Sequence, residues 1–326
     1  MKAIQLVRHG LPETACQCIE VPTPSDPQPG ELLVRIRASA INPADLLIFE
    51  NRYPGPEQLP AFVGIEGAGE VMAVGEGVSD FKTGDKVMSM GRANWAEFVQ
   101  APATQFIPLP SELDWQHAAQ MKANPPSAHL MLTDYVDLAK GDWIIQNAAN
   151  SAVGRHVISF CSERGINSIN VVRRPELVDE LLEIGATQVI VESAELGKQV
   201  REKTGEDAEI KLAIDAIGGV STSRLADCLS IGGHVVNYGF LSGDPCQMTP
   251  THTIVKSLTL SGFWLVGYMS KTPREQIIEM YRQMSEAFIS GQLSSPVEAE
   301  YSLQDISAAL AHSYRQGRAG KILLVS

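Results

Sequence analysis

From residue 142 onwards, short apolar segments alternate with segments that have the pattern of helices, and this alternation restricts the possible fold more than any other feature. The segments with the character of buried strands are 142–147, 168–172, 187–191, 209–215, 234–239 and 258–265. The first helical segment, 153–165, ends at Gly165, and glycine commonly terminates a helix. This order of elements predicts an α/β fold with a doubly wound parallel sheet.

The first part of the chain has a different pattern. Residues 31–41, 69–78 and 82–88 have the composition of strands, and a loop rich in Pro and Gly precedes them. Many short strands joined by such turns predict a barrel-like domain. After a long helix at 273–290, a strand near Val297–Tyr301, a helix at 303–316 and the terminal KILLVS return to this pattern. We therefore predict a first domain at 1–123, a second at 124–267, and a return to the first at 268–326.

Composition excludes several classes of partner. The formal net charge is −12, which argues against nucleic acid and against an anionic membrane surface as partners. No segment approaches the roughly eighteen apolar residues of a membrane span. The first residues show neither an apolar signal core nor an Arg- and Ser-rich presequence, so we predict a cytoplasmic protein. Cys16 and Cys18 fit alternation along a strand better than a metal site.

The loop NAANSAVG at 147–154 joins the first strand of the predicted sheet to its first helix. In such a fold this loop directs backbone N–H groups and the positive end of a helix at a pyrophosphate. Of the usual three glycines only Gly154 is present, but Asn150 and Ser151 add side-chain donors. The loop alone therefore fits two interpretations, a dinucleotide site and an ordinary turn whose Asn and Ser cap the helix.

The second strand supports the dinucleotide site. It ends at Arg173 and Arg174, about twenty residues after Gly154, where such folds recognise the adenosine ribose. An acidic residue there suits NADH, whereas arginine suits the 2′-phosphate of NADPH. The alternative is that the two arginines are only solvated charges at the protein surface. We predict NADPH as the cofactor.

With these segments the chain resembles the medium-chain dehydrogenase/reductase superfamily. GIEGAGEV (64–71), GEGVSDFKTGDKV (75–87) and WAEFV (95–99) resemble its chaperonin-10-like (GroES-like) catalytic domain, of β-barrel type. QNAANSAVG (146–154), INVVRRP (169–175), VNYG (236–239) and GFWL (262–265) are most similar to trans-2-enoyl-thioester reductases of mitochondrial type. Quinone oxidoreductases are near relatives. The resemblance implies a Rossmann domain beside the GroES-like domain, and a hydride transfer from NADPH.

The resemblance also implies where zinc ligands would stand. Zinc-dependent members carry Gly-His-Glu where this chain has Gly64-Ile65-Glu66, and a cysteine where it has Asn124. The four-cysteine structural site of those enzymes has no counterpart here. Because neither Ile nor Asn supplies the ligand, a tetrahedral zinc site cannot be assembled. We predict no metal.

Catalytic and binding residues follow from the same resemblance. Tyr53 is the implied hydrogen-bond donor to the enolate that forms when hydride reaches the β-carbon, before the α-carbon takes a proton; the alternative is a ring that only packs. Asn124 is implied at the nicotinamide end, and its alternative is a residue of the turn before two prolines. Lys321 is implied at the cofactor, and its alternative is a solvated lysine. The implied cofactor residues are Asn124, Asn150, Ser151, Ala152, Val153, Gly154, Arg173, Arg174, Tyr238, Gly239, Phe240, Leu241, Phe263, Trp264, Leu265 and Lys321.

Trp264 is counted with Tyr53 as catalytic, because the segment 263–265 is implied beside the nicotinamide and the acyl pocket. Taken alone, such an apolar strand is simply core. The sequence thus predicts an NADPH-dependent reductase of the C2=C3 bond of an enoyl-CoA or enoyl-acyl-carrier-protein. A quinone or α,β-unsaturated carbonyl reductase and a non-catalytic NADPH-binding protein remain as alternatives. Since the sixth strand is an apolar sheet edge that must be covered, we also predict a homodimer.

Overall fold

The computed structural model describes residues 1–315 and 317–326 and divides the chain into two compact units. Unit 1 consists of Met1–Ala123 with Pro273–Ser326, and unit 2 of Asn124–Thr272. The second domain was predicted to end at 267, whereas unit 2 extends to Thr272. The difference arises because a short helix follows its last strand before the chain leaves the unit.

The first part of unit 1 is built mainly from strands. These are β1 Lys2–Leu6, β2 Cys16–Glu20, β3 Glu31–Ala40, β4 Ala61–Phe62, β5 Ala68–Val74, β6 Lys86–Ser89, β7 Phe98–Pro102 and β8 Phe106–Pro108. Short helices accompany them: α1 Pro12–Ala15, α2 Pro43–Phe49 and α3 Trp115–Ala118.

Unit 2 alternates helices and strands along the chain. Its strands are β9 Trp143–Gln146, β10 Asn167–Val172, β11 Gln188–Val191, β12 Ile210–Asp215, β13 His234–Asn237 and β14 Thr259–Gly262. Its helices are α4 Asn124–Thr133, α5 Ala152–Arg164, α6 Val178–Glu183, α7 Leu196–Thr204, α8 Gly219–Cys228 and α9 Leu265–Met269. The last part of unit 1 adds α10 Arg274–Ile289, β15 Val297–Ser302, α11 Ile306–Tyr314 and β16 Lys321–Val325.

Two sheets form unit 1. A seven-stranded sheet has the order β15-β16-β3-β5-β6-β8 with β7 also paired to β3, and a three-stranded sheet has the order β2-β1-β4. Strand β16 pairs antiparallel with β3, so the terminal residues complete a sheet begun by the first forty. A core cluster that includes Leu6, Phe49 and Trp95 lies between the strands and α11.

The sheet of unit 2 is entirely parallel, with the order β11-β10-β9-β12-β13-β14. Numbered from β9, this is the 3-2-1-4-5-6 order of the Rossmann fold. Apolar clusters cover it, one around Ile145 and Val235 and another around Ile158 and Val172. The predicted doubly wound sheet is therefore confirmed.

Several predicted elements have other bounds in the structure; the strand predicted over 69–78, for example, is β5 and ends at Val74. The sixth strand was predicted over 258–265, but β14 ends at Gly262, Trp264 is the N-cap of α9, and Leu265 is already helical. The helix predicted over 303–316 begins with a 3-10 turn at Leu303–Asp305 and continues as α11. Position 316, its predicted end, lies outside the described residues. No helix in the described ranges is long and apolar enough to cross a membrane.

Candidate functional site

The carboxyl ends of the six strands in unit 2 form one edge of its sheet, because the strands are parallel. Most of the predicted cofactor residues follow these ends: 150–154 after β9, Arg173 and Arg174 after β10, 238–241 after β13, and 263–265 after β14. Ligands of open α/β sheets bind at this edge. The fold thus brings these residues to the edge where a dinucleotide would bind.

The loop after β9 is shaped by close backbone contacts. Ser151 is the N-cap of α5, and its Oγ accepts a hydrogen bond from the Gly154 N–H at 3.1 Å. A Cβ on Gly154 would lie only 2.5 Å from the Ala149 carbonyl oxygen, so glycine is required there. Ala148 adopts a left-handed φ of 47°, a conformation that glycine usually supplies. The loop therefore turns tightly with fewer glycines than the usual fingerprint, and Ala152 and Val153 form the first turn of α5, whose positive end faces this edge.

Tyr238 is tied to this loop. The Ser151 hydroxyl hydrogen-bonds its phenol, and burial raises the pKa of Tyr238 to about 12, so the phenol stays neutral near pH 7. The following Gly239 lies against the Ala216 backbone, since an added Cβ would be 2.6 Å from the Ala216 carbonyl oxygen. Beyond it, Phe240 and Leu241 are exposed.

Sequence reasoning missed the side chain that joins these loops, Asp215 at the end of β12. It is fully buried, and its Oδ1 accepts hydrogen bonds from Asn147 Nδ2 at 2.6 Å and from the N–H groups of Ile217 and Gly218. Its Oδ2 accepts from Thr222 Oγ1 at 2.6 Å and from Asn237 Nδ2 at 3.2 Å. One carboxylate thus fixes the ends of β9, β12 and β13 together. An acidic residue at the carboxyl end of the fourth strand is the signal that could have revealed it.

The arginines after β10 differ in their surroundings. Arg174 NH1 lies 3.5 Å from Glu176 Oε1, which neutralises part of its charge. Arg173 is exposed, and within the described residues its side chain makes no ion pair. The positive charge of Arg173 is therefore less compensated than that of Arg174.

The remaining predicted residues of unit 2 are more scattered. Asn124 is buried at the first turn of α4. Trp264 is 50% exposed, and Phe263 and Leu265 are half-buried on either side of it. Since β14 ends at Gly262, the segment 263–265 is neither strand nor core.

Tyr53 belongs to unit 1 and follows α2. Its ring is half-buried and packs against the apolar cluster around Phe49, while the Arg92 guanidinium lies over it, 5.7 Å from the ring centroid. The ring therefore does pack, as the alternative interpretation holds, but it also has a cation at its face.

Lys321, at the start of β16, is only 8% exposed. Its ammonium donates to Asn42 Oδ1, and burial lowers its pKa. Asn42 Nδ2 in turn donates to Glu66 Oε1 at 2.5 Å. Lys321 is thus part of a buried polar cluster in unit 1 rather than a solvated surface lysine.

Two family models match this chain. Residues 28–111 match the alcohol dehydrogenase GroES-like domain, and residues 152–286 match the zinc-binding dehydrogenase family. The residues present do not fit zinc. The resemblance places Ile65 and Asn124 at the positions of two ligands, and no three His, Cys, Asp or Glu side chains of the described residues come together as a metal site.

Individual relatives cover nearly the whole chain. The chain is 38% identical to a Caenorhabditis elegans protein named mitochondrial enoyl-[acyl-carrier-protein] reductase, over 94% of this chain and 90% of that protein. Among solved structures, the complex of Etr1p with NADP and crotonyl-CoA superposes with a TM-score of 0.88 at 29% identity, covering 100% of this chain and 99% of that one. The Escherichia coli quinone oxidoreductase complexed with NADPH gives a TM-score of 0.90 at 27% identity, with both chains fully covered.

The prediction of a cytoplasmic protein is wrong, because the names of the relatives contradict it. Relatives from Caenorhabditis elegans, Homo sapiens and Arabidopsis thaliana are all named mitochondrial, which points to a mitochondrial location instead. The prediction rested on composition and on the first residues of the sequence.

The likeness extends over both units, and it joins the GroES-like and Rossmann parts in one chain as the sequence motifs predict. The chain belongs to the mitochondrial-type enoyl-[acyl-carrier-protein] reductase family of the medium-chain dehydrogenase/reductase superfamily.

Proposed function

We propose that this protein reduces the C2=C3 double bond of a 2-enoyl thioester, carried by CoA or by acyl carrier protein, with NADPH as cofactor. The observation that carries the proposal is the 38% identity, over 94% of the chain, with a protein named enoyl-[acyl-carrier-protein] reductase. The tight loop before α5, at the carboxyl edge of the sheet in unit 2, supports the assignment of NADPH as cofactor.

The residues of unit 2 would hold the cofactor. The N–H groups at the start of α5 bind the pyrophosphate, with Asn150 and Ser151 as additional donors. Arg173 and Arg174 bind the 2′-phosphate through charge-assisted hydrogen bonds. When bound, NADPH supplies the hydride.

In unit 1 we assign the donor role to Tyr53. As the β-carbon of the substrate gains hydride, negative charge develops on the thioester oxygen. The Tyr53 hydroxyl donates a hydrogen bond to that oxygen, and the α-carbon then takes a proton. The Arg92 guanidinium over the ring favours negative charge at this site.

A quinone reductase is the second candidate, favoured by the TM-score of 0.90 with the NADPH-bound Escherichia coli quinone oxidoreductase. It would share the fold and cofactor but depend less on an acid beside the acceptor. We therefore propose to compare NADPH oxidation with crotonyl-CoA, a longer enoyl-CoA, an enoyl-acyl-carrier-protein and benzoquinone. Turnover of quinone alone would establish the second candidate, and NADPH binding without any turnover would indicate a non-catalytic protein.

Tyr53→Phe tests the donor role. It keeps the packed ring but removes the hydroxyl, and loss of one such donor typically lowers turnover by about 10²–10³. We expect this loss in kcat for crotonyl-CoA, with NADPH affinity unchanged. Tyr301→Phe is the matched control, because Tyr301 packs on the same apolar cluster and its hydroxyl bonds to His312 instead. Unchanged enoyl turnover in Tyr53→Phe would assign the proton to another group.

We also propose a homodimer built through β14. This strand pairs only with β13 among the described strands, and Leu260 on it is 41% exposed. A structure of the Candida tropicalis reductase is described as an Etr1p/Etr2p heterodimer.

A further inference from the structure

The ammonium of Lys122 is surrounded by backbone carbonyl groups inside unit 1. It donates to the carbonyl oxygens of Ile65 at 2.5 Å, Met90 at 2.9 Å and Gly91 at 2.6 Å, and Lys122 is only 9% exposed. Three N–H donors meet three acceptors, so backbone carbonyls satisfy every donor of this ammonium. The backbone of Lys122 is fixed as well, because the buried Tyr281 hydroxyl donates a hydrogen bond to the Lys122 carbonyl oxygen at 2.8 Å.

A buried cation needs a compensating charge, and Glu66 supplies it. Glu66 is fully buried; its Oε2 accepts from the Ala123 N–H and its Oε1 from Asn42, which Lys321 contacts on the other side. Burial lowers the pKa of Lys122 to about 8, with Glu66 opposing that effect, so at neutral pH the side chain is mostly charged. The buried Glu66 carboxylate is thus bonded to the backbone next to Lys122 on one side and to Asn42, the partner of Lys321, on the other.

The location of this cluster matters. Ile65, whose carbonyl binds the ammonium, stands where zinc-dependent members of the superfamily have a histidine ligand. An internal cation therefore ties together the loops at 64–66 and 90–91 next to that position.

The loop at 90–91 leads directly to the site proposed above. Arg92, the residue after Gly91, places its guanidinium over the Tyr53 ring. Asn94 Nδ2 gives a second tie between the same two loops, at 3.0 Å from the Gly64 carbonyl oxygen and 2.9 Å from that of Gly91. The position of Arg92 is thus set by the groups that hold Gly91.

We propose that Lys122 is a positioning residue, an internal cation bound by three backbone carbonyls that holds Arg92 against Tyr53. Its effect on turnover rests on the proposed function, whereas cation binding at the three carbonyls does not. Removing the ammonium should free the loop at 90–91 and leave a cavity that binds a small cation.

The test is chemical rescue of Lys122→Ala. Propylammonium replaces the atoms that this substitution removes, and n-propanol matches it in size without the charge. We expect Lys122→Ala to lose about tenfold to a hundredfold in kcat for crotonyl-CoA, as displaced catalytic groups do. Propylammonium should restore much of it saturably, and n-propanol should not. Rescue by both compounds, or by neither, would overturn the proposal.

A variant that keeps the volume guards against failure to fold. Lys122→Met fills the cavity with an uncharged chain, so it should show the same loss and no rescue, and wild-type turnover in this variant would refute a role for the charge. Lys198→Ala, an exposed lysine in α7, is the control and should behave as wild type. In the double variant Lys122→Ala with Tyr53→Phe, the two losses should not multiply if Lys122 acts through Tyr53.

Melting temperature separates this proposal from the proposed function. If the protein proved not to reduce enoyl thioesters, propylammonium should still raise the melting temperature of Lys122→Ala, and not that of Lys122→Met, because a bound ligand stabilises the folded state. Equal effects on both variants would mean that the three carbonyls bind no cation.

Discussion

At the residue scale, the arginines after β10 have unequal environments and should contribute unequally to binding. Arg174 shares its charge with Glu176, whereas Arg173 has no such partner within the described part of the chain. A charge-assisted hydrogen bond contributes about 1.5–3 kcal/mol, and about 1.4 kcal/mol is tenfold in affinity. We therefore expect Arg173→Ala to weaken NADPH binding by about tenfold or more, Arg174→Ala by less, and neither to change NADH binding.

Fluorescence titration with the two cofactors measures this effect. Arg201→Ala, at an exposed arginine in α7, serves as the control for loss of positive charge in unit 2. An equal loss of NADH and NADPH affinity would mean that the arginines do not recognise the 2′-phosphate.

The buried carboxyl group of Asp45 makes the stability of unit 1 depend on pH. It is buried, accepts hydrogen bonds from the N–H groups of Asn42 and Ile65, and lies near Glu66 and Lys321. Burial raises the pKa of Asp45 from 3.8 to about 7. Between these values the folded state keeps a proton that the unfolded chain has lost. This contribution to stability is therefore complete below pH 3.8 and is lost as the pH rises to about 7, by about 1.4 kcal/mol per unit.

Urea unfolding of wild type and Asp45→Asn between pH 4 and pH 8 checks this prediction. Asparagine does not titrate, so the variant should lose this part of the pH dependence even though it is less stable at every pH. Asp80→Asn, at an exposed position, should follow wild type. Parallel curves for wild type and Asp45→Asn would show that the carboxyl is ionised throughout.

At the scale of elements, the path of the loop before α5 depends on one glycine. Gly154→Ala places a Cβ 2.5 Å from a backbone oxygen, and backbone cannot move aside as a side chain can. We expect NADPH binding to weaken by at least about tenfold, which is about 1.4 kcal/mol.

Gly197→Ala is the matched control, since Gly197 also lies in a helix but an added Cβ would meet side-chain atoms at ordinary distances of 3.6 and 3.8 Å. Helix propensity favours that change by about 1 kcal/mol. Calorimetric titration with NADPH compares the two variants. Wild-type affinity in Gly154→Ala would show that the loop can shift without cost.

At the scale of the whole molecule, the edge of β14 that no described strand covers decides the assembly that we propose. An exposed edge with apolar side chains, here Leu260 with Ile254 and Val255 nearby in the chain, is ready to pair with a second copy. Sedimentation at micromolar concentration should give a dimer for wild type. Leu260→Glu should give a monomer, because each partner would bury a carboxylate.

Leu182→Glu is the control for added charge, since Leu182 is 44% exposed on α6, away from this edge in the sheet order. It should remain dimeric. A monomeric wild type, or a dimeric Leu260→Glu, would place the interface elsewhere or remove it.

The sequence by itself determined the parallel sheet of unit 2 and the loop from Asn150 to Gly154. Apolar periodicity, a helix cap and a strand-to-helix turn are local, so a few neighbouring residues suffice to predict them. Even there the end of β14 was placed too late, because Phe263 and Trp264 are as apolar as the strand before them and nothing local shows that a helix begins at Leu265.

Tertiary structure alone decided the polar clusters. Asn42, Glu66, Lys122 and Lys321 are far apart along the chain, and Asn147, Asp215 and Asn237 likewise belong to different strand ends. Each of these side chains is polar, and a polar residue considered by itself is expected at the surface. Only the fold brings the Lys122 ammonium to three distant carbonyls and the Asp215 carboxylate to the amides of Asn147 and Asn237, and burial is stable there because these polar groups are hydrogen-bonded.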